Sequence, residues 1–168
     1  MQSTQKTVRG IPDVLTTLGE VLDPEIPVLD IVAMGIVTSV EVEPDATVVT
    51  IAPTYSGCPA MRMIENDIIE VLTRKGFPHP QVKISFARVW STDDMTEEGR
   101  AKLRDYGIAP PAPRPGEPGD PADVNRTAAC PYCGSSETML KSFFGSTACK
   151  SLHYCNDCLQ PFEAFKCI

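Results

Sequence analysis

The 168-residue chain contains no run of apolar residues approaching the roughly 18 to 20 that a membrane-spanning helix requires, so no membrane association is expected. Its opening, MQSTQKTVRGIPDVL, lacks the apolar core of a secretory signal, which makes the cytoplasm the expected compartment. Positive charge is also in short supply: 15 Lys and Arg against 22 Asp and Glu give a net charge of −7. Nucleic-acid affinity comes mostly from clustered cations that displace counterions from phosphates, so nucleic acid is not an expected partner. Histidine is scarcer still. Only His79 and His153 are present, and neither completes the E-x-x-H pairs from which helical bundles build diiron sites. A protein or small-molecule partner is the expectation that survives.

Cysteine and proline are abundant instead. The seven cysteines fall at 58, 130, 133, 149, 155, 158 and 167, six of them within the last 39 residues. In a chain with no route to an oxidising compartment, paired C-x-x-C spacing reads as metal binding before disulfides. Residues 108–127, IAPPAPRPGEPGDPADVNRT, hold six prolines between 110 and 121 and almost no large apolar side chain. They read as a semi-rigid, extended spacer between a domain of residues 1–107 and a module of residues 128–168, whose cores it should keep separate. The acidity belongs to the first domain, with 10 basic and 16 acidic residues against three of each in 128–168.

Within 1–107 the apolar periodicity predicts an α-β-β-α-β order. Ile11, Val14, Leu15, Leu18, Val21 and Leu22 form one helical stripe that Pro24 should stop. Val40 and Val42 alternate with Glu41 and Glu43 ahead of the turn Pro44-Asp45-Ala46, and Thr47 to Ala52 is β-branched, which predicts a hairpin. A second helix should run from Pro59 to about Lys75, burying Met61, Ile64, Ile68, Val71 and Leu72 and ending at Gly76. Residues 82–87 alternate as a third strand, and residues 95–106 read as a short charged helix. Right-handed crossover places the third strand parallel to the second, giving a small mixed α/β (α+β) sheet with helices on one face.

Two places carry chemistry. Cys58 lies between Gly57 and Pro59 at the expected start of the second helix, where free N–H groups and the helix dipole stabilise a thiolate; the plainer reading is a half-buried packing residue. Cys130-x-x-Cys133 and Cys155-x-x-Cys158, 21 residues apart, are two knuckles that direct four thiolates at one tetrahedral ion, a structural zinc site, although all-sulfur sites also accept iron. Phe143, Phe144, Phe162 and Phe165 are the expected filling of this small module. Cys149 and Cys167 read either as buried small hydrophobes or as a second thiol pair able to hold iron or a transient cluster. His153 is a spare ligand that two complete knuckles make unnecessary.

Asp23-Pro24-Glu25, Asp30 to Val37 and Thr54-Tyr55-Ser56-Gly57-Cys58-Pro59 together resemble the MIP-type family of metal–sulfur cluster assembly domains over about residues 11–89. The resemblance maps the family's functional cysteine onto Cys58 and its acidic motif onto Asp23 and Glu25; read alone, Asp-Pro-Glu is a helix terminator with two solvated charges. Trp90 to Asp94, Thr96 to Arg100, Tyr106 to Pro111, Phe144 to Lys150 and Phe162 to Ile168 extend the likeness to the PaaD family, accessory subunits of phenylacetyl-CoA epoxidase systems in aerobic phenylacetate degradation. That resemblance implies an accessory role in maturing iron or iron–sulfur centres. The implied partners are a reductase with a plant-type [2Fe–2S] cluster and flavin and a diiron oxygenase, with a homo-oligomer also open. A scaffold subunit of the oxygenase complex and a thiol oxidoreductase stand as the rival readings.

Overall fold

The computed structural model describes residues 10–54, 59–111 and 128–166. Helix α1 spans Ile11–Leu18 and turns Val14, Thr17 and Leu18 inward. It is shorter than the apolar stripe predicts. The chain turns at Gly19 and Glu20, and Leu22 pairs with Asp30 instead of continuing the helix. Strands β1 (Leu22–Asp23) and β2 (Ile26–Asp30) thereby form a small antiparallel hairpin that the periodicity does not reveal, because Pro24 and Pro27 break its alternation.

The expected hairpin and crossover follow. Strand β3 (Val37–Val42) pairs antiparallel with β4 (Thr47–Ile51), and β5 (Pro80–Ile84) lies parallel to β4, in the order β3-β4-β5. Helix α2 (Met61–Arg74) makes the crossover and buries Met61, Ile64, Ile68, Val71 and Leu72, the face its periodicity predicts. It ends in a Schellman motif: Gly76 at φ +78° donates to the Thr73 carbonyl and Phe77 to that of Leu72. Its N-cap is Ala60, two residues beyond Cys58, so the expectation that Cys58 caps this helix is corrected; Cys58 itself lies outside the described residues. Strand β5 stops at Ile84 and leaves Ile84 and Phe86 exposed, as an edge strand lacks a second covering layer.

A 3-10 turn (Thr92–Asp94) leads into helix α3 (Glu97–Asp105), capped by the Thr96 hydroxyl, which accepts from Gly99 N–H. Strand β6 is Ile108–Ala109. These two residues, read from sequence as the head of the spacer, are buried and join the C-terminal sheet, because they are the last apolar pair before the prolines. Strands β7 (Thr138–Ser142), β8 (Lys150–Cys155) and β9 (Pro161–Phe165) complete that sheet in the order β6-β9-β8-β7, with β6 parallel to β9 and the others antiparallel.

The two modules therefore share packing. Phe165 belongs to the main core, and its ring meets Trp90 edge-on at 6.2 Å, while the Trp90 indole N–H donates to the Met34 carbonyl at 3.0 Å. The expectation of cores held apart by a spacer is corrected on this point; residues 112–127 of the spacer lie outside the described residues. The aromatic filling is corrected too. Phe162 and Phe165 are buried, whereas Phe143 and Phe144 are exposed on the β7–β8 loop.

Truncating Phe165 to Ala should cost about 3–5 kcal/mol, the usual penalty for emptying a buried aromatic site. The measurement is thermal unfolding followed by far-ultraviolet circular dichroism. The expected result is a lowered midpoint for the main domain; an unchanged domain transition would mean the two cores are independent.

Candidate functional site

The four knuckle cysteines converge. Their Sγ atoms all lie within 4.8 Å of one another, with Cys130 to Cys158 and Cys133 to Cys155 both 3.6 Å apart. Such spacings are far too long for disulfides. They suit a tetrahedron around zinc, whose bonds of about 2.3 Å place sulfurs about 3.8 Å apart. When bound, zinc supplies a fixed cross-link between the β7 and β9 ends of the sheet. The closed thiolate shell leaves no coordination position for a reaction.

The two knuckles repeat one local design. Cys130 N–H donates to Ser135 O at 2.9 Å and Cys155 N–H to Gln160 O at 3.0 Å, the same five-residue closure in each. Each turns through a left-handed residue directly after its second cysteine, Gly134 at φ +76° and Leu159 at φ +60°. Backbone N–H groups, first that of Cys158, pull the Cys155 thiol down to about 7. Burial pushes the Cys158 thiol up to about 12. Neighbouring thiols thus resist ionising together without a cation, and metal binding must release protons. His153 stands apart: its Nε2 meets Ser151 Oγ at 3.0 Å and its ring stacks on Phe162 at 5.4 Å. Among the described residues no further His, Asp or Glu joins the four sulfurs.

The acidic motif occupies the β1–β2 turn and is not a solvated helix end. Asp23 is buried, and its Oδ1 accepts from the N–H groups of Glu25 and Ile26, both at 2.8 Å. These bonds fix the turn around Pro24. They do not fully offset desolvation, which holds the Asp23 carboxyl above the usual range. Glu25 reaches across to the other module, where the Cys149 thiol donates to its Oε2 at 3.6 Å. Cys149 is half-buried, 3.1 Å from Thr147 Oγ1, and burial together with the Glu25 and Asp23 charges keeps its thiol protonated. Beside this contact lies a cleft of about 440 Å³ lined by Glu25, Tyr106, Tyr132, Lys150, Leu152 and Glu163 among others. Lys150, itself buried, pairs with Glu163 at 3.2 Å. Sequence reasoning names Asp23, Glu25 and Cys149 but carries no signal for the Lys150–Glu163 pair, whose members sit 13 residues apart on separate strands. Cys58 and Cys167 lie outside the described residues.

Two outcomes follow from this geometry. Leu159, exposed and left-handed, carries a steric cost of roughly 1–2 kcal/mol that glycine avoids, so Leu159→Gly should retain one zinc per chain and gain up to about 1 kcal/mol after glycine's entropy cost. Elemental analysis and thermal melts check both parts. For Asp23 the sign is opposite to a salt-bridged carboxylate. A raised folded pKa means the folded chain binds the proton more tightly than the unfolded one, so stability falls as pH rises through the ordinary Asp range toward the raised value. Asp23→Asn keeps the Oδ1 acceptor and removes the charge; it should melt at or above the wild-type temperature at neutral pH, the advantage shrinking on acidification. A large loss of stability in that variant would mean the charge itself holds the turn.

Comparison with known proteins places both modules. Residues 12–84 match the family model described as iron-sulfur cluster assembly protein, and residues 115–166 the one described as PaaD zinc beta ribbon domain. An Escherichia coli (strain K12) protein carrying the name of a "Putative 1,2-phenylacetyl-CoA epoxidase" subunit is 42% identical over 158 residues, covering 94% of this chain and 93% of its own length. A Porphyromonas gingivalis (strain ATCC BAA-308 / W83) protein named "Fe-S protein maturation auxiliary factor" is 34% identical over 93 residues, 54% of this chain and 88% of its own. A crystal structure of a domain of unknown function, DUF59, from Bacillus anthracis matches with a TM-score of 0.52 at 27% identity, over 55% of this chain and 89% of that one. An assembly-type domain, a four-cysteine zinc ribbon docked on it, and 42% identity to the E. coli protein over nearly the whole length make this chain a member of the PaaD family.

Proposed function

We propose that the protein is a non-catalytic maturation factor that delivers iron or an iron–sulfur cluster to a component of a phenylacetyl-CoA epoxidase system. Cys58 is the transfer thiol, Asp23 and Glu25 are its acidic partners, and the ribbon is the client-docking module. The observation that carries this reading is the meeting of Glu25 with Cys149 above a buried Asp23 carboxyl. Desolvation raises the Asp23 carboxyl there although two backbone N–H groups and the Lys150 charge oppose it, and a carboxyl perturbed in this way is a pattern found at functional sites. The assembly-family match over residues 12–84 spans Asp23, Glu25 and Cys58 together, and the names of the relatives point to an epoxidase subunit and to iron–sulfur maturation.

Transfer by ligand exchange balances without a redox partner. Each iron–thiolate bond to Cys58 that breaks is replaced by one to a client cysteine, and the client thiol's proton passes to the departing Cys58 thiolate. Cys149 and Cys167 are candidates for additional iron ligands in the same process. The reductase with its [2Fe–2S] centre is the favoured client over the diiron oxygenase, because thiolate-held clusters move by this exchange. A thiol oxidoreductase fits less well, since the knuckle sulfurs form one closed four-sulfur group and not a reactive pair. The epoxidase name of the E. coli relative favours a second reading, a scaffold within the oxygenase complex.

The test is the iron and sulfide content of reductase and oxygenase produced in cells carrying the wild-type chain, Cys58→Ala or no copy. Cys58→Ala should leave zinc at one per chain and lower client loading about tenfold, to the level of the empty cells. Full loading of both clients by Cys58→Ala would leave the scaffold reading in its place.

A further inference from the structure

The cleft beside the acidic turn takes no part in holding zinc, and its walls come from both modules. Its floor is one face of the ribbon sheet, where Ile108 of β6 and Leu152 of β8 flank Glu163 of β9 in register. Tyr106, the C-terminal cap of α3, and Tyr132, set between the two cysteines of the first knuckle, line it together with Glu25 of the β1–β2 turn. Tyr132 leans over Gly107. At φ +90° that residue carries no side chain, and a Cβ there would stand 3.0 Å from Tyr132 Oη and 3.4 Å from Cζ. The glycine is thus the seat of the ring. Both tyrosines remain half-exposed, at 53% and 58%, so the cleft is open to solvent along them.

The charges that face the cleft do not cancel. Glu163 is fully engaged, since its carboxylate accepts from the N–H and the hydroxyl of Ser146 and pairs with Lys150 Nζ at 3.2 Å. The Lys150 side chain is 6% exposed, and its charge is committed to Glu163 and to Asp23. Glu25 is left over. Its Oε2 accepts the weak S–H of Cys149 at 3.6 Å, and no Lys or Arg pairs with it among the described residues. Two carboxylates against one ammonium leave the lining with one negative charge in surplus, on a chain of net charge −7. The field that repels phosphates draws a cation here.

A bare metal ion is the wrong cation. Among the described residues the knuckle sulfurs are the only set of three or more ligand atoms that converge, and about 440 Å³ is far more room than an ion fills. An organic cation suits both volume and lining. Guanidinium is planar, sheds water more readily than an ammonium, stacks on aromatic rings and takes a carboxylate with two parallel hydrogen bonds. Two half-exposed tyrosines beside an unpaired carboxylate match each of these properties. The open side is what a side chain entering from a protein backbone requires.

We propose that this cleft is a receptor for an arginine side chain of a partner protein, with Glu25 pairing the guanidinium and Tyr106 and Tyr132 stacking on it. The site goes beyond the maturation reading; it shares Glu25 with that reading but stands whether or not Cys58 transfers a cluster. The probe is Nα-acetyl-arginine amide, titrated into the zinc-loaded full-length chain and followed by amide chemical shifts. Shifts should saturate at the cleft with a Kd on the order of 1 mM, as expected of so small a ligand at a hydrated site. The citrulline analogue, nearly equal in shape but uncharged, should bind about tenfold more weakly, and the lysine analogue about threefold more weakly. Glu25→Gln should weaken the arginine amide about tenfold, and Tyr106→Leu or Tyr132→Leu about threefold each. A blocked Gly-Gly-Arg-Gly-Gly peptide should bind at least as tightly as the amide. Zinc content and melting temperature are measured on every variant, while the comparison of probes on the wild-type chain needs no variant at all.

Equal affinity for the arginine and citrulline amides, or the absence of a saturable shift at the cleft, overturns the proposal. So does a lysine amide that binds as tightly as arginine, because the site then reads charge and not guanidinium. A peptide that binds markedly more weakly than the amide would make the occupant a free small cation and overturns the assignment to a protein partner. The titration involves neither client nor cluster, so its failure leaves the loading test of Cys58→Ala intact, and failure of that test leaves the titration intact.

Discussion

The edge-on contact between Trp90 and Phe165 is the constraint on which the remaining geometry rests. Trp90 is anchored from one side by its bond to the Met34 carbonyl, and Phe165 is the last residue of the central ribbon strand β9. Joining them inserts that strand's end into the core of the assembly domain, brings β9 alongside β6, and sets Lys166 N–H against the Cys149 carbonyl. The position of the Cys149 thiol over Glu25 follows from this attachment. The ribbon's own core is small, made of Ala109, Cys130, Cys155, Phe162 and Ala164, too little apolar area to hold a sheet alone. It has two external supports, metal on one end and the Trp90 pocket on the other.

Polar groups at the junction are handled in two ways. Asp30 caps the turn after β2 by accepting from Val32 and Ala33 N–H and pairs with Lys102 of α3, an arrangement in which each charge has a partner. Asp23 caps its turn with the same pattern and is buried to nearly the same degree, but it makes no ion pair among the described residues and its charge is opposed by that of Glu25. Two aspartates in nearly equivalent roles thus differ in what surrounds them. Asp30 therefore holds its turn with its charge compensated, whereas Asp23 holds its turn with its carboxyl raised by desolvation.

How much of this was legible in the sequence depended on the range of the signal. The buried face of α2 could be read residue by residue because helical periodicity is local and uninterrupted from Met61 to Leu72. The knuckles could be read because four cysteines at fixed spacing admit few arrangements. The β1–β2 hairpin could not, since prolines break its short strands and an apolar stripe runs into it from α1. Phe143 and Phe144 could not be sorted from Phe162 and Phe165, as hydrophobicity does not state which rings a loop will turn outward. The Cys149–Glu25 contact joins residues 124 apart, and no local pattern encodes such a meeting.

The attachment of β6 changes the meaning of the proline-rich stretch. Arg100 holds the carbonyls of Thr92 and Pro111, so the chain departs from a fixed point at one end, and it returns at Ala128, whose carbonyl accepts from Thr138 Oγ1 at the edge of the same sheet. Pro111 and Ala128 are thus both tied to one body, and the spacing of the two modules is set by the register of β6 against β9. The number of residues between those two points enters stability only through closure entropy, which grows logarithmically, so doubling it costs about 0.6 kcal/mol.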